Sequence, residues 1–139
     1  MNWKKFFFAF IAAFVFVFLF GFLWHGKLMH SAYSEVPALW RPEADFGHYF
    51  PILILGHVVM AFFLTVIYAS FASAGGPGAG FRLGLLLGLL NIGLNFITFA
   101  VQPITTKILC FWMVGDLLMF ALAGAIIGAI YKPSTTSSP

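Results

Sequence analysis

The chain has 139 residues, 62% of them hydrophobic and 19% aromatic, and only 8% charged. Soluble domains carry about 25% charged residues, and a soluble fold this small leaves too much of its surface wet to hide so many apolar side chains. The formal net charge of +3 comes from cations scattered beside apolar runs; that pattern marks membrane flanks and gives no nucleic-acid-binding signature.

About 20 apolar residues cross a bilayer as a helix, and four such runs can be drawn. The first is residues 6–24. Its phenylalanines at 14, 16, 18, 20 and 22 alternate as in a strand, but a lone strand cannot satisfy its backbone in lipid, so a helix is expected. "MNWKK" ahead of it resembles the basic start of a signal peptide. No small-x-small cleavage pattern follows, so the run is kept as a span. It holds nine phenylalanines between Phe6 and Phe22. That composition predicts a peripheral face turned to lipid or to a neighbouring subunit.

A long connection follows, "HGKLMHSAYSEVPALWRPEADFGHYF". Leu28, Ala32, Tyr33, Val36, Leu39 and Trp40 recur at three- and four-residue spacing, predicting a short interfacial helix broken near Pro37. Trp24, Tyr33, Trp40 and Tyr49 fit an aromatic belt. Arg41 stands near Glu35, Glu43 and Asp45 and is expected to pair with one of them at the surface. His25, Met29, His30 and His48 are the candidate metal ligands, with His25 and Met29 one turn apart as a copper pair would be. No strict ligand motif such as His-x-x-x-His is present, so no metal is assigned.

The second span is residues 50–73 and ends at the Gly/Pro turn "SAGGPGAGFR". The third is 83–101, closed by Gln102-Pro103, and the fourth is 108–131. "KPSTTSSP", 132–139, is expected to be a disordered tail. The fold class is therefore all-α: one integral domain, 1–139, with four transmembrane helices and a short interfacial helix. With the N-terminus in the cytoplasm, Lys4, Lys5, Arg82 and Lys132 lie inside and Lys27, Arg41 and Lys107 outside. That bias gives N-in, C-in in an inner membrane. The lone Cys110 forms no internal disulfide and reads as an apolar filler.

"LNIGLNFITFAVQP", residues 90–103, carries a polar stripe: Asn91, Asn95, Thr98 and Gln102 at steps of four, three and four. Polar groups inside a bilayer are costly and usually face the bundle interior. His57 in "GHVVM" and Asp116 in "GDLLM" are the histidine and the acid within the other spans. Counting 1.5 Å per residue from the span ends puts His57, Asn95 and Asp116 at one depth, about 12 Å in. The expected intramembrane polar cluster is His57, Asn91, Asn95, Thr98 and Asp116, with a His57–Asp116 hydrogen bond at its centre. Helix–helix glue is the plainer reading of Asn91 and Thr98. The matching pentapeptides hint at a parallel repeat. Gly84 and Gly88, with Gly124-x-x-x-Gly128, are expected to let helices approach closely within the chain. A heme or chlorophyll on His57 is a lesser reading, and no cofactor is assigned.

"GFLWHGKL" closing the first span, the Gly-spaced third span with asparagine, and "KILCFWMVGDLLM" leading to "GAIIGAIY" resemble a domain-of-unknown-function family of small bacterial four-helix membrane proteins. The resemblance runs from Gly21 to Tyr131. An acid in the last span matches Asp116, whereas His25 stands where that family usually has tyrosine. The resemblance implies a fold and no activity. No Walker loop, nucleophile elbow or cysteine cluster occurs, so no enzyme is expected. Two functions remain. One is an accessory or structural subunit of a larger membrane complex, or a homo-oligomer, whose partners are lipids and integral membrane subunits or itself. The other is a small transporter or sensor that binds a proton, cation or small ligand at the polar cluster.

Overall fold

The computed structural model describes residues 2–71 and 75–132. The fold is an all-α four-helix bundle, with no strand among the described residues. Helix α1 spans Trp3–Leu23 and runs on through a π turn, Trp24–Leu28. The five-residue α2 covers His30–Ser34. Two 3₁₀ turns lead to α3, Phe46–Phe71, which is followed by α4, Pro77–Val101, and α5, Thr106–Ile130. All four long helices are apolar enough to cross a membrane, and the chain is a membrane protein.

Helix boundaries follow local chemistry. The Asn2 side chain accepts from Lys5 N–H at 3.1 Å and caps α1. Thr105 caps α5 through Ile108 N–H. Pro77 takes the first position of α4, where its missing N–H costs nothing. The turn before it rests on Gly76, whose φ of 114° suits a residue without Cβ. Helix α4 therefore begins inside the expected Gly/Pro turn, six residues before the expected start at 83. The expected second span reaches to 73, and its last two residues lie outside the described residues. So does the expected tail beyond Lys132.

Helix α1 keeps one exposed apolar face, with Phe7, Phe8, Ile11, Val15, Leu19 and Phe22 open, but its other face belongs to the core. Phe6, Ala9, Ala13, Val17 and Gly21 form a buried stripe at three- and four-residue spacing, and the helix packs on both α3 and α5. Small residues chose this face because they let the helices approach closely. The phenylalanines flank it: Phe10, Phe14, Phe16 and Phe20 pack partly buried against the core, while Phe7, Phe8 and Phe22 remain exposed.

Helices α4 and α5 make the closest pair. Gly80, Gly84 and Gly88 repeat every four residues along α4 and are buried. They face Ala121, Gly124 and Gly128 on α5. A Cβ on Gly80 would overlap the Gly124 carbonyl, and one on Gly84 the Phe120 carbonyl. Gly88 and Gly128 likewise lie where an added Cβ would crowd backbone across the α4–α5 contact. Gly80, expected in the turn, belongs to the same row. Helix α4 barely touches α3. An apolar cleft stays open between them, lined by Met60, Phe63, Leu90, Asn91, Leu94 and Phe120 among others.

The long connection folds onto the end of α5. Met29 and Ala32 are buried against Ile104 and Ile108. Lys107 holds Glu35 at 2.6 Å, with both side chains about half exposed. Arg41 forms no ion pair with Glu35, Glu43 or Asp45; its guanidinium lies 3.7 Å from the centroid of the Tyr49 ring, a cation–π contact.

Candidate functional site

Asp116 sits on α5 just past the glycine row, where α4 turns its asparagines inward. Asn91 and Asn95 each donate an amide N–H to Asp116 Oδ2, both at 2.7 Å. Their spacing of four places both amides on one face of α4. That face approaches closely because Gly88 lies one turn back, where a Cβ would stand 3.1 Å from Leu117 Cα. Asn95 is buried, and Asn91 and Asp116 are half-buried. The expected convergence of asparagines on the acid is present, and Asn91 takes part as fully as Asn95.

Two members of the expected cluster lie elsewhere. Thr98 donates to the Leu94 carbonyl of its own helix at 3.0 Å. His57 does not meet Asp116. Its Nδ1 lies 2.8 Å from the Leu53 carbonyl, and its ring packs edge-on to Phe18 with centroids 5.5 Å apart. The physical reason is α1. That helix presents Gly21 to His57 on α3 and, three residues on, Trp24 to Gly115 on α5. It packs against both helices there, while Asp116 turns to the asparagines of α4. The apparent repeat breaks at the same place. Gly115 lies beneath the Trp24 indole, whereas Gly56 faces open space.

Beyond Asp116, towards the long connection, lies a second polar group centred on Tyr33. Its hydroxyl accepts from Trp112 Nε1 at 2.9 Å and lies 2.6 Å from His25 Nδ1. Trp40 Nε1 donates to the Tyr33 carbonyl at 3.0 Å, and Trp24 Nε1 to the Phe111 carbonyl at 3.2 Å. Trp24, Tyr33 and Trp40 thus join Trp112 in one partly buried aromatic cluster. Burial pushes the Tyr33 phenol above its ordinary value; the Trp112 hydrogen bond opposes this and the charge of Asp116 adds to it.

Of the candidate metal ligands, His25 and Met29 meet at the Tyr33 hydroxyl. His30 and His48 are exposed, and His48 lies edge-on to Tyr49. Met29 is buried with its sulfur 3.4 Å from the Tyr33 hydroxyl. No group of three His, Cys, Asp or Glu side chains able to share a metal occurs among the described residues.

What the sequence reading missed is the partnership of His25 with His57. Both line one cavity of about 310 Å³ where the ends of α1 and α3 meet, together with Phe18, Phe22, Phe46 and Phe50. One signal existed. His25 lies four residues past Gly21 and seven past Phe18, so it continues the α1 face that α3 covers.

No family model, curated protein or solved structure matches the chain.

Proposed function

We propose that the protein is an assembly unit of the membrane: a helical subunit that receives a helix from a neighbour, its own copy or another integral protein. The observation that carries this reading is the open cleft between α3 and α4. Most of α4 away from α5 is bare. Leu86, Leu90, Leu94, Ile97 and Val101 are each more than half exposed. Apolar exposure alone suits lipid. Asn91, however, also lines the cleft while it holds Asp116. The part of the Asn91 amide that Asp116 does not engage finds no hydrogen-bond partner among acyl chains. A protein helix seated in the cleft screens it and adds close packing.

Cysteine cross-linking tests the reading. With Cys110, which is exposed, changed to Ala, Leu90→Cys or Leu94→Cys in native membranes should give a cross-linked product larger than one chain. A cysteine at Ile11, on exposed α1 surface, should give little. Equal and low cross-linking at all three positions would remove the reading.

The same reading puts both termini in the cytoplasm, from the cations Lys4, Lys5, Arg82 and Lys132. Labelling of Ser34→Cys by an impermeant reagent from outside is the expected result. Protection at Ser34 with labelling of Ser137→Cys reverses the orientation.

A further inference from the structure

The cavity between the ends of α1 and α3 plays no part in the assembly reading. Its walls come from α1, the π turn that follows it and α3. No Lys, Arg, Asp or Glu lines it among the described residues, and Phe18, Phe22, Phe46, Phe50 and Leu53 give it an almost wholly apolar surface. The cavity is not sealed. Phe22, Phe46 and Leu53 are each 40% exposed or more, so it opens sideways, where acyl chains lie. It also runs along the helices. On α3 its lining extends from Phe46 to His57, roughly 16 Å at 1.5 Å per residue. Both helices are membrane spans, so that direction is close to the direction of the acyl chains. At about 30 Å³ for each methylene-sized group, the cavity of about 310 Å³ holds roughly ten of them.

A cation stands at the end nearest the long connection. Lys27 belongs to the π turn and follows Gly26, which is part of the lining. Its Nζ lies 5.9 Å from the centroid of the Phe22 ring, part of the wall. Lys27 is exposed and forms no ion pair among the described residues. Other charges of this region are Arg41, over Tyr49, and Glu43 and Asp45, in the turn ahead of Phe46. The two acids offset the two cations, so the net charge of a ligand is not what this end selects. The local feature is one unpaired ammonium on the face of a wall ring.

We propose that this cavity is a phospholipid site: one acyl chain lies among the phenylalanines, and the lipid phosphate meets the Lys27 ammonium. The chain fills apolar volume that opens to the bilayer, and the phosphate gives the cation its partner. A free phosphate has nothing to place in the cavity, and a chain without phosphate leaves Lys27 unpaired. The bilayer presents the ligand in the orientation the site needs, with its phosphates at the interface that Lys27 reaches along the Phe22 ring.

The test uses the full-length protein in an uncharged detergent, titrated with decanoyl lysophosphatidylcholine, decanoylglycerol and inorganic phosphate, with bound ligand counted by native mass spectrometry. The lysolipid should saturate at one per chain. Decanoylglycerol keeps the chain but loses the phosphate, and it should bind about fivefold more weakly, as the loss of one exposed ionic contact allows. Inorganic phosphate should not bind. Lys27→Gln should bring the lysolipid down to the level of decanoylglycerol and leave decanoylglycerol unchanged, with helicity intact because the side chain is exposed. Lys5→Gln, an exposed cation at the other end of α1, should change neither. Leu53→Trp enlarges a wall residue and should weaken both chain-bearing ligands by about tenfold. Equal binding of lysolipid and decanoylglycerol to the wild-type chain, lysolipid binding that Lys27→Gln leaves unchanged, or saturable binding of inorganic phosphate alone overturns the proposal.

Discussion

Gly84→Leu should abolish the folded bundle, and Gly124→Leu should do the same. A Cβ at Gly84 already overlaps the Phe120 carbonyl, and one at Gly124 overlaps the Gly80 carbonyl. Backbone on both sides cannot swing away as a side chain can, so α4 and α5 must separate along their length. That separation removes the close packing that holds helices together where lipid offers no hydrophobic drive. It also pulls Asn91 and Asn95 away from Asp116. The cost exceeds the usual overpacking range of about 1–3 kcal/mol, a large share of any domain's stability. Gly93→Leu is the control. It is a glycine of the same helix with nothing within 4 Å of the added Cβ, and it should fold. Folded yield and resistance to SDS unfolding are the measurements. Equal stability of the Gly84 and Gly93 variants would mean that α4 does not dock on α5 through this row.

The second large effect is at Asp116. Asp116→Leu should destabilise the fold by about 2–4 kcal/mol, whereas Asp116→Asn should cost about 0.5 kcal/mol or less. Leucine leaves two amide donors on α4 without their acceptor, each worth about 1–3 kcal/mol when stranded. Asparagine keeps an oxygen where both amides converge. The pairing also makes the effects non-additive. Once Asn91 and Asn95 are both Ala, Asp116→Leu should cost much less than it does alone. Reversible unfolding of the full cycle checks this. If the leucine and asparagine variants are equally stable, the two 2.7 Å hydrogen bonds do not hold these helices in place.

These two sites also show how far the sequence could be read. Hydropathy located all four long helices, because span length is set by bilayer thickness. The glycine row was visible from Gly84 to Gly88; Gly80 was assigned to the turn because Gly76, Pro77 and Gly78 crowd beside it. Depth was also legible. Rise per residue is fixed, so Asn95 and Asp116 could be matched across antiparallel helices. Azimuth was not legible. His57 and Asp116 were joined on depth alone, yet which helix stands beside which depends on packing faces, and the core face of α1 was missed. Its phenylalanines drew attention away from that side of the helix. The buried stripe is Ala9, Ala13, Val17 and Gly21, residues whose smallness is the point. With α1 packed against both α3 and α5, His57 lost Asp116 and gained His25. Nearness in sequence offers Arg41 three acids, Glu35, Glu43 and Asp45, but Arg41 lies over Tyr49 and Lys107, 72 residues from Glu35, takes that acid. Loop contacts of that kind have no periodicity to betray them.

The central claim is that the α3–α4 cleft is filled by a neighbour's helix. It is tested most directly by excising the protein from its own membrane into polymer-bounded lipid discs and weighing the intact particles by native mass spectrometry. The account predicts more than one polypeptide per particle, either a second copy or a distinct subunit. It also predicts that Leu90→Trp with Leu94→Trp, which crowd the cleft from its α4 wall, shifts the population to single chains that remain folded. Wild-type particles holding one chain and lipid alone would contradict it.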